Sequence, residues 1–265
     1  MLILYDNDFS TCAQKVRLLL NEKQLEWETV WLDLRAGDQH DPEYLTLNPN
    51  GVVPTIVDEG KPIIESTLIL QYLEEKFLTN PSFYPSGASD RYGIRLLQNR
   101  IDTALHADIA VLSISVAFRH ELIARKGDLV ADHIEKIPNP VMQGIWRGAI
   151  EEGLRSRPFV NSLRNWRDAV QQLENHLQIG GWLVGDKYSI ADMSYVPYIV
   201  RLDHLGLLQY LVDDCPGVVK WISSIQQRPA YAAAFTNVID KQKIEFLQQC
   251  ARNEAVAIET ALASL

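Results

Sequence analysis

In the first third of the chain apolar residues alternate over short runs, and from about residue 90 onward they recur at helical spacing. Leu2-Ile3-Leu4-Tyr5 predicts a short strand, and Thr11 to Lys23 predicts a helix with Val16, Leu19 and Leu20 on one side. Trp27 to Leu32 alternates as a second strand, while Gly37 to Leu45 is polar and predicts a loop with a short helix. Val52 to Val57 and Lys61 to Ile64 flank Asp58-Glu59-Gly60, a hairpin turn. Ser66 to Phe77 predicts an amphipathic helix. The order β-α-β and then β-β-α sets an antiparallel hairpin beside a parallel pair, hence a mixed sheet covered by helices.

Asn80 to Gly87, rich in Pro, Ser and Gly, reads as a linker. After it the strand signal stops. Helical periodicity runs from Arg91 to about Lys126, Pro140 to Glu152, Phe159 to Leu177, Ser189 to Leu208 and Gly217 to Ile225, with one more helical stretch from Asp240 to Leu265. Two domains follow as an expectation: an α/β unit over residues 1–80 and an all-α unit over 88–265.

Composition narrows the function. The 265 residues carry a net charge of -9, so no basic face for nucleic acid is expected, and anionic membrane surfaces would repel the chain. The N-terminus has neither a basic start nor a long apolar run, and no segment is expected to reach the roughly 18 apolar residues of a membrane span. Cys12, Cys215 and Cys250 are odd in number and scattered, which fits a reducing, cytoplasmic compartment. Neither they nor the six dispersed histidines have ligand spacing, so no metal is expected.

Four local motifs carry chemistry. In Asn48-Pro49-Asn50-Gly51-Val52-Val53-Pro54-Thr55, Pro54 opens a strand. Thioredoxin-like folds use a cis proline there, which leaves the Val53 peptide groups open to an extended peptide, a short case of strand addition. Glu65-Ser66 precedes a helix. Ser66 as its N-cap would form an anion socket, and Glu65 would take an ammonium group, a pairing that suits the α-amino-acid end of a γ-glutamyl group. Ser10-Thr11-Cys12 lies between the first strand and first helix, where a hydroxyl and a helix terminus favour a thiolate. A thiol of pKa about 8.5 is only about 3% ionised at pH 7. Lowering that pKa by about two units takes about 2.7 kcal/mol of preferential anion stabilisation. Ser189 and Asp192, finally, have capping-box spacing and a structural reading. Each of the first three also has a plainer reading: a turn proline, a helix cap, and a cap beside a small buried cysteine.

Taken together, in this order and spacing, these motifs resemble the cytosolic glutathione transferase superfamily over most of the chain. The resemblance implies a thioredoxin-like N-terminal domain, an all-α C-terminal domain, glutathione as cosubstrate and a homodimer. It carries Val53, beside Pro54, to the cysteinyl backbone of glutathione, Glu65 and Ser66 to its γ-glutamyl end, and Gln39 with His40 to its glycyl carboxylate. Ser10 falls where serine-type transferases keep the activating hydroxyl, with Thr11 beside it. Cys12 falls near the position of the cysteine types, and the choice between them stays open. The extended segment from Lys136 to Arg147, together with Gln39-His40 and Asn48-Pro49-Asn50-Gly51, is similar to the bacterial β-etherases, which cleave lignin-derived aryl ethers with glutathione.

That similarity implies a small hydrophobic electrophile. One wall of its pocket would be Ala104, Ala107, Val111 and Ser115, the other Trp146 and Arg147. Two further readings compete: a glutathione-dependent thiol–disulfide oxidoreductase using Cys12, and a non-catalytic glutathione-fold binding protein.

Overall fold

The computed structural model describes residues 1–78, 81–127, 130–135 and 140–265. Strands β1 (Leu2–Asp6), β2 (Trp27–Trp31), β3 (Thr55–Asp58) and β4 (Lys61–Ile63) form one sheet in the order β2-β1-β3-β4. β1 and β2 are parallel, and β1–β3 and β3–β4 are antiparallel. The β3–β4 turn places Glu59 at φ 50° and Gly60 at φ 79°, two positive angles in succession, as a tight hairpin requires. Helices α1 (Thr11–Glu22), α2 (Pro42–Leu47) and α3 (Ser66–Lys76) complete the thioredoxin-like part. Leu4, Ile56, Val16, Leu19, Leu20, Ile69 and Leu73 are fully buried, as their spacing requires.

The rest of the described chain is helical: α4 (Ala88–Arg100), α5 (His106–Ser113), α6 (Arg119–Lys126), α7 (Val130–Glu135), α8 (Pro140–Arg147), α9 (Arg157–Gly180), α10 (Ile190–His204), α11 (Leu208–Leu211), α12 (Pro216–Gln226), α13 (Pro229–Tyr231), α14 (Lys241–Asn253) and α15 (Ala255–Ala263). By contact, the chain divides into two compact units. The first holds Met1–Asn99, His176–Pro197 and Lys220–Asp240, and the second holds Arg100–Asn175, Tyr198–Val219 and Lys241–Leu265.

Several expectations need correction. The strand expected from Val52 begins only at Thr55, because Val52 to Pro54 form the turn into it. Ser66 is not a cap but the first residue of α3, and Glu65 stands at the cap position. The single tail helix is broken at Glu254. The helix read as Arg91 to Lys126 runs from Ala88 and is interrupted by π turns at Ile101–Leu105 and Ile114–Phe118. The stretch Ala88–Arg125 is long and apolar enough to cross a membrane, and 56% of its most apolar window is buried within the protein. Ile101, Leu105, Ile109 and Leu112 give it an apolar stripe, and all four are buried. Part of the expected linker, including Asn80, and residues 136–139 of the extended segment lie outside the described residues.

In the first unit Asp192 organises the start of α10. One carboxylate oxygen accepts from the Leu183 amide at 3.1 Å and Trp221 Nε1 at 2.8 Å, the other from the Ser189 amide at 2.9 Å. Ser189 Oγ in turn accepts from the Ala191 amide at 3.2 Å, so the capping box is present. Burial outweighs these bonds and raises the Asp192 pKa to about 6. A raised carboxylate pKa means that ionising Asp192 costs folding stability. Its contribution is therefore full below the unfolded value of about 4 and is lost as pH rises through 6. From pH 4 to pH 7, urea unfolding of the wild type should lose on the order of 3 kcal/mol relative to Asp192→Asn, which has no group to titrate there. A pH-independent difference between the two proteins would refute this. Asp192→Ala, which strips four donors of their acceptor, should cost at least about 3 kcal/mol at pH 4 and less at pH 7, where the wild type has itself lost stability.

Candidate active site

Sheet topology brings three connections to one end of the sheet. Tyr5 pairs with Thr55 and Ile56 with Ile63, so the loop leaving β1, the turn entering β3 and the segment leaving β4 share that end. These carry Ser10, Val53-Pro54 and Glu65-Ser66 respectively.

The loop after β1 is built from local bonds. Asn7 Oδ1 accepts from the Phe9 amide at 3.1 Å, and the Ser10 amide donates to the Asn7 carbonyl at 3.2 Å. Ser10, in extended conformation, is the N-cap of α1, and its Oγ accepts from the Ala13 amide at 3.3 Å. Thr11 is buried, and Cys12 is partly exposed on the first helical turn and in no disulfide. A hydroxyl thus sits at the positive end of a 12-residue helix, where anions are favoured.

The turn into β3 contains a cis Val53–Pro54 bond and is held from below. The Tyr44 hydroxyl donates to the Val52 carbonyl at 2.5 Å and meets Thr55 Oγ1 at 2.9 Å. Buried Asn48 donates to the same two atoms at 2.8 and 3.1 Å. Burial pushes the Tyr44 hydroxyl pKa up, so it remains a donor. Among the described residues no protein group hydrogen-bonds the Val53 amide or carbonyl.

Around this turn lie the remaining N-terminal candidates. Glu65 is exposed at φ 69°, ψ 107°, a region that costs a non-glycine residue roughly 1–3 kcal/mol. Its Oε1 accepts from Asn50 Nδ2 at 3.2 Å. Ser66 is buried at the start of α3, and its Oγ accepts from Lys15 Nζ at 3.3 Å. Gln39 and His40 occupy a short 3-10 turn, Asp38–His40. Gly51, at φ 60°, packs on that turn so closely that a Cβ would fall 3.1 Å from His40 Nδ1 and 3.3 Å from the Gln39 carbonyl. Gln39 Oε1 is buried without a partner among the described residues, and His40 is exposed. Asn50 and Gly51 therefore join Gln39-His40 to Glu65-Ser66.

In the second unit a cavity of about 230 Å³ is lined by Ala107 and Val111 of α5, Met142 and Ile145 of α8, and the start of α9 with Arg157. Asp108 also faces it, tied to Ser162 at 2.7 Å and Asn165 at 3.0 Å, and burial raises its pKa. Of the other residues named from sequence, Ala104 is exposed on the first π turn. Trp146 packs against a cluster of Val111, Ile114, Ile134, Ala149 and Ile150. Arg147 is exposed and 3.8 Å from Glu151. Ser115 Oγ is buried with no partner among the described residues. Among those residues no group of His, Cys, Asp and Glu is arranged to hold a metal. The sequence reading assigned no site role to Lys15, Tyr44, Asn50 or Asp108. Only a polar residue breaking an apolar helix face, as Lys15 does, could have signalled any of them.

Known proteins match this arrangement. Residues 9–76 match the family model for the glutathione S-transferase N-terminal domain, and residues 159–236 that for the C-terminal domain. Protein LigF of Sphingobium is 31% identical over 245 residues, covering 90% of this chain and 92% of LigF. The crystal structure of the β-etherase LigF superposes with a TM-score of 0.78 at 26% identity, over 89% of this chain and 99% of that one. The transcriptional regulator URE2 of Saccharomyces cerevisiae is 27% identical over 83% of this chain and 63% of its own length. Glutathione transferase F7 of Populus trichocarpa shares the fold, with a TM-score of 0.65 at 23% identity over 93% of this chain and 99% of that one. The chain belongs to the glutathione transferase family and is a glutathione transferase. Members of this family use glutathione, commonly dimerise, and are generally soluble cytosolic proteins.

Proposed function

We propose that glutathione lies along the turn into β3, with its cysteinyl backbone on Val53 beside Pro54. Its γ-glutamyl ammonium meets Glu65, its α-carboxylate meets Ser66 and the start of α3, and its glycyl end reaches Gln39 and His40. The observation that carries this reading is the unpartnered Val53 peptide edge next to a strained Glu65 and a helix N-terminus. Residues 1–80 form the glutathione-binding domain in this reading, and residues 88–265 supply the second-substrate pocket.

Ser10 donates its hydroxyl proton to the glutathione sulfur, with Thr11 and Cys12 secondary. Its Oγ accepts from the Ala13 amide, which leaves the proton for the thiolate. Ser10→Ala should raise the apparent pKa of the bound thiol by about one unit or more, worth about 1.4 kcal/mol per unit, and should slow turnover. An unchanged thiolate titration would remove Ser10 from the chemistry. Loss of activity confined to Cys12→Ala, with glutathione attached to Cys12, would instead favour the thiol–disulfide oxidoreductase.

The second substrate is an aromatic β-aryl ether. The support is LigF, whose solved structure is named a β-etherase and which matches nearly end to end, together with the apolar cavity behind Ala107 and Val111. The thiolate forms a C–S bond at the ether-bearing carbon, the C–O bond breaks with its electron pair, and the phenolate leaves to take up a proton. Arg157 lines the cavity, whereas Arg147 is exposed near Glu151, so Arg157 is the cation assigned to the departing phenolate. Glutathione-dependent release of a fluorescent phenol from a model β-aryl ether is the expected result. No release above buffer, with ready conjugation of a simple aryl halide, would leave a general conjugating transferase.

The working form is a homodimer. Leu68 of α3 and Tyr92 and Leu96 of α4 are more than half exposed on the first unit, an apolar surface that suits a second copy. Light scattering should give twice the chain mass, and Leu96→Glu should shift it toward one. A wild type that is monomeric at micromolar concentration would end this assignment.

A further inference from the structure

Lys15 takes no part in the reading above, yet its side chain is completely buried and its Nζ lies 3.3 Å from Ser66 Oγ. A lysine ammonium has donors and no acceptor, whereas a serine hydroxyl has one donor and two acceptor lone pairs. Lys15 therefore occupies a lone pair of Ser66. The Ser66 proton is donated to no protein group among the described residues, so it remains available to a ligand. The first amides of α3, an 11-residue helix, lie beside it without intrahelical partners. A buried cation next to a positive helix end adds to one potential, which a ligand carboxylate answers.

We propose that Lys15 is the positioning residue of the γ-glutamyl subsite: from beneath Ser66 it orients the hydroxyl proton outward, toward the ligand's α-carboxylate. This rests on the glutathione reading and names the residue that prepares the subsite for a carboxylate over a neutral group. Neither the start of α3 nor Ser66 alone would require a charged side chain in the interior.

The test compares binding of glutathione with that of its analogue bearing hydrogen in place of the γ-glutamyl α-carboxylate, by calorimetry on the full chain. Wild type should prefer glutathione by about tenfold or more, the range for a charge-assisted hydrogen bond. Lys15→Met should remove most of that preference, Ser66→Ala should do the same, and the double variant should do little more, since one residue acts through the other. Lys15→Gln, which keeps a neutral donor of similar length, should fall between, and it carries the test if Lys15→Met does not fold. A preference unchanged in the Lys15 variants but lost in Ser66→Ala would overturn the role of Lys15 and leave the glutathione reading intact. Equal weakening of both ligands would reduce Lys15 to a structural residue and overturn the proposal too. A preference untouched in Ser66→Ala as well would overturn both this proposal and the γ-glutamyl assignment beneath it.

Discussion

A buried guanidinium holds in place the end of β1 from which the chain runs to Ser10. Arg17 of α1 meets Asp6, the last residue of β1, at 2.7 Å, with both side chains all but sealed from solvent. The same guanidinium donates to the Asp8 carbonyl at 3.2 Å and, through Nε, to the Ala234 carbonyl at 2.9 Å. A charge taken from water at such cost is tolerated only when its donors are fully used, and removing one partner of such a pair typically costs about 3–5 kcal/mol. The cost to Asp6 is visible in its pKa, which burial raises although Arg17 pulls it down. What the interaction secures is geometric. Asp6 and Asp8 cannot move without breaking charge-assisted bonds to Arg17, which restrains the loop that leads to Ser10.

A second buried pair, Lys23 with Glu74 at 3.1 Å, joins α1 to α3. Glu74 also accepts from the Phe83 amide at 3.2 Å. α1 is thus anchored by charge at its middle, through Arg17, to the sheet, and at its C-terminal cap, through Lys23, to the helix that begins with Ser66. Lys15 lies two residues before Arg17 on the same helix, so its approach to Ser66 is a consequence of this frame as well as of its own side chain.

How far the sequence revealed this depends on the range of the interaction. Alternation and helical periodicity located every strand and most helices, because burial of one face is written in neighbouring residues. The hairpin at Glu59-Gly60 and the box of Ser189 with Asp192 were legible for the same reason: each is closed within a few residues. α7 was missed, and Ser66 was placed one step early, since the cap is fixed by the backbone angles of Glu65 rather than by side-chain type. Tyr44 under Val52, Asn50 at Glu65 and Asp108 against Ser162 were not legible, because each pairs residues that only the fold brings together. The π turns are also silent in sequence, where a helix that gains one residue still reads as a helix.

Those π turns have a consequence for how the cavity could tolerate change. Ala107 and Val111 stand on α5, the regular segment bracketed by the turns at Ile101–Leu105 and Ile114–Phe118. One residue of an α-helix advances the face by about 100°, so an inserted residue in a regular helix would turn everything beyond it by that amount. A π turn instead takes up its extra residue within one turn and hands the helix on in phase. Losing that residue from the first turn would let a regular turn replace it, with Ala107 and Val111 still aimed at the cavity. Length variation in a helix, ordinarily disruptive, is here confined to one turn, and the pocket wall downstream keeps its direction while the count of residues before it changes.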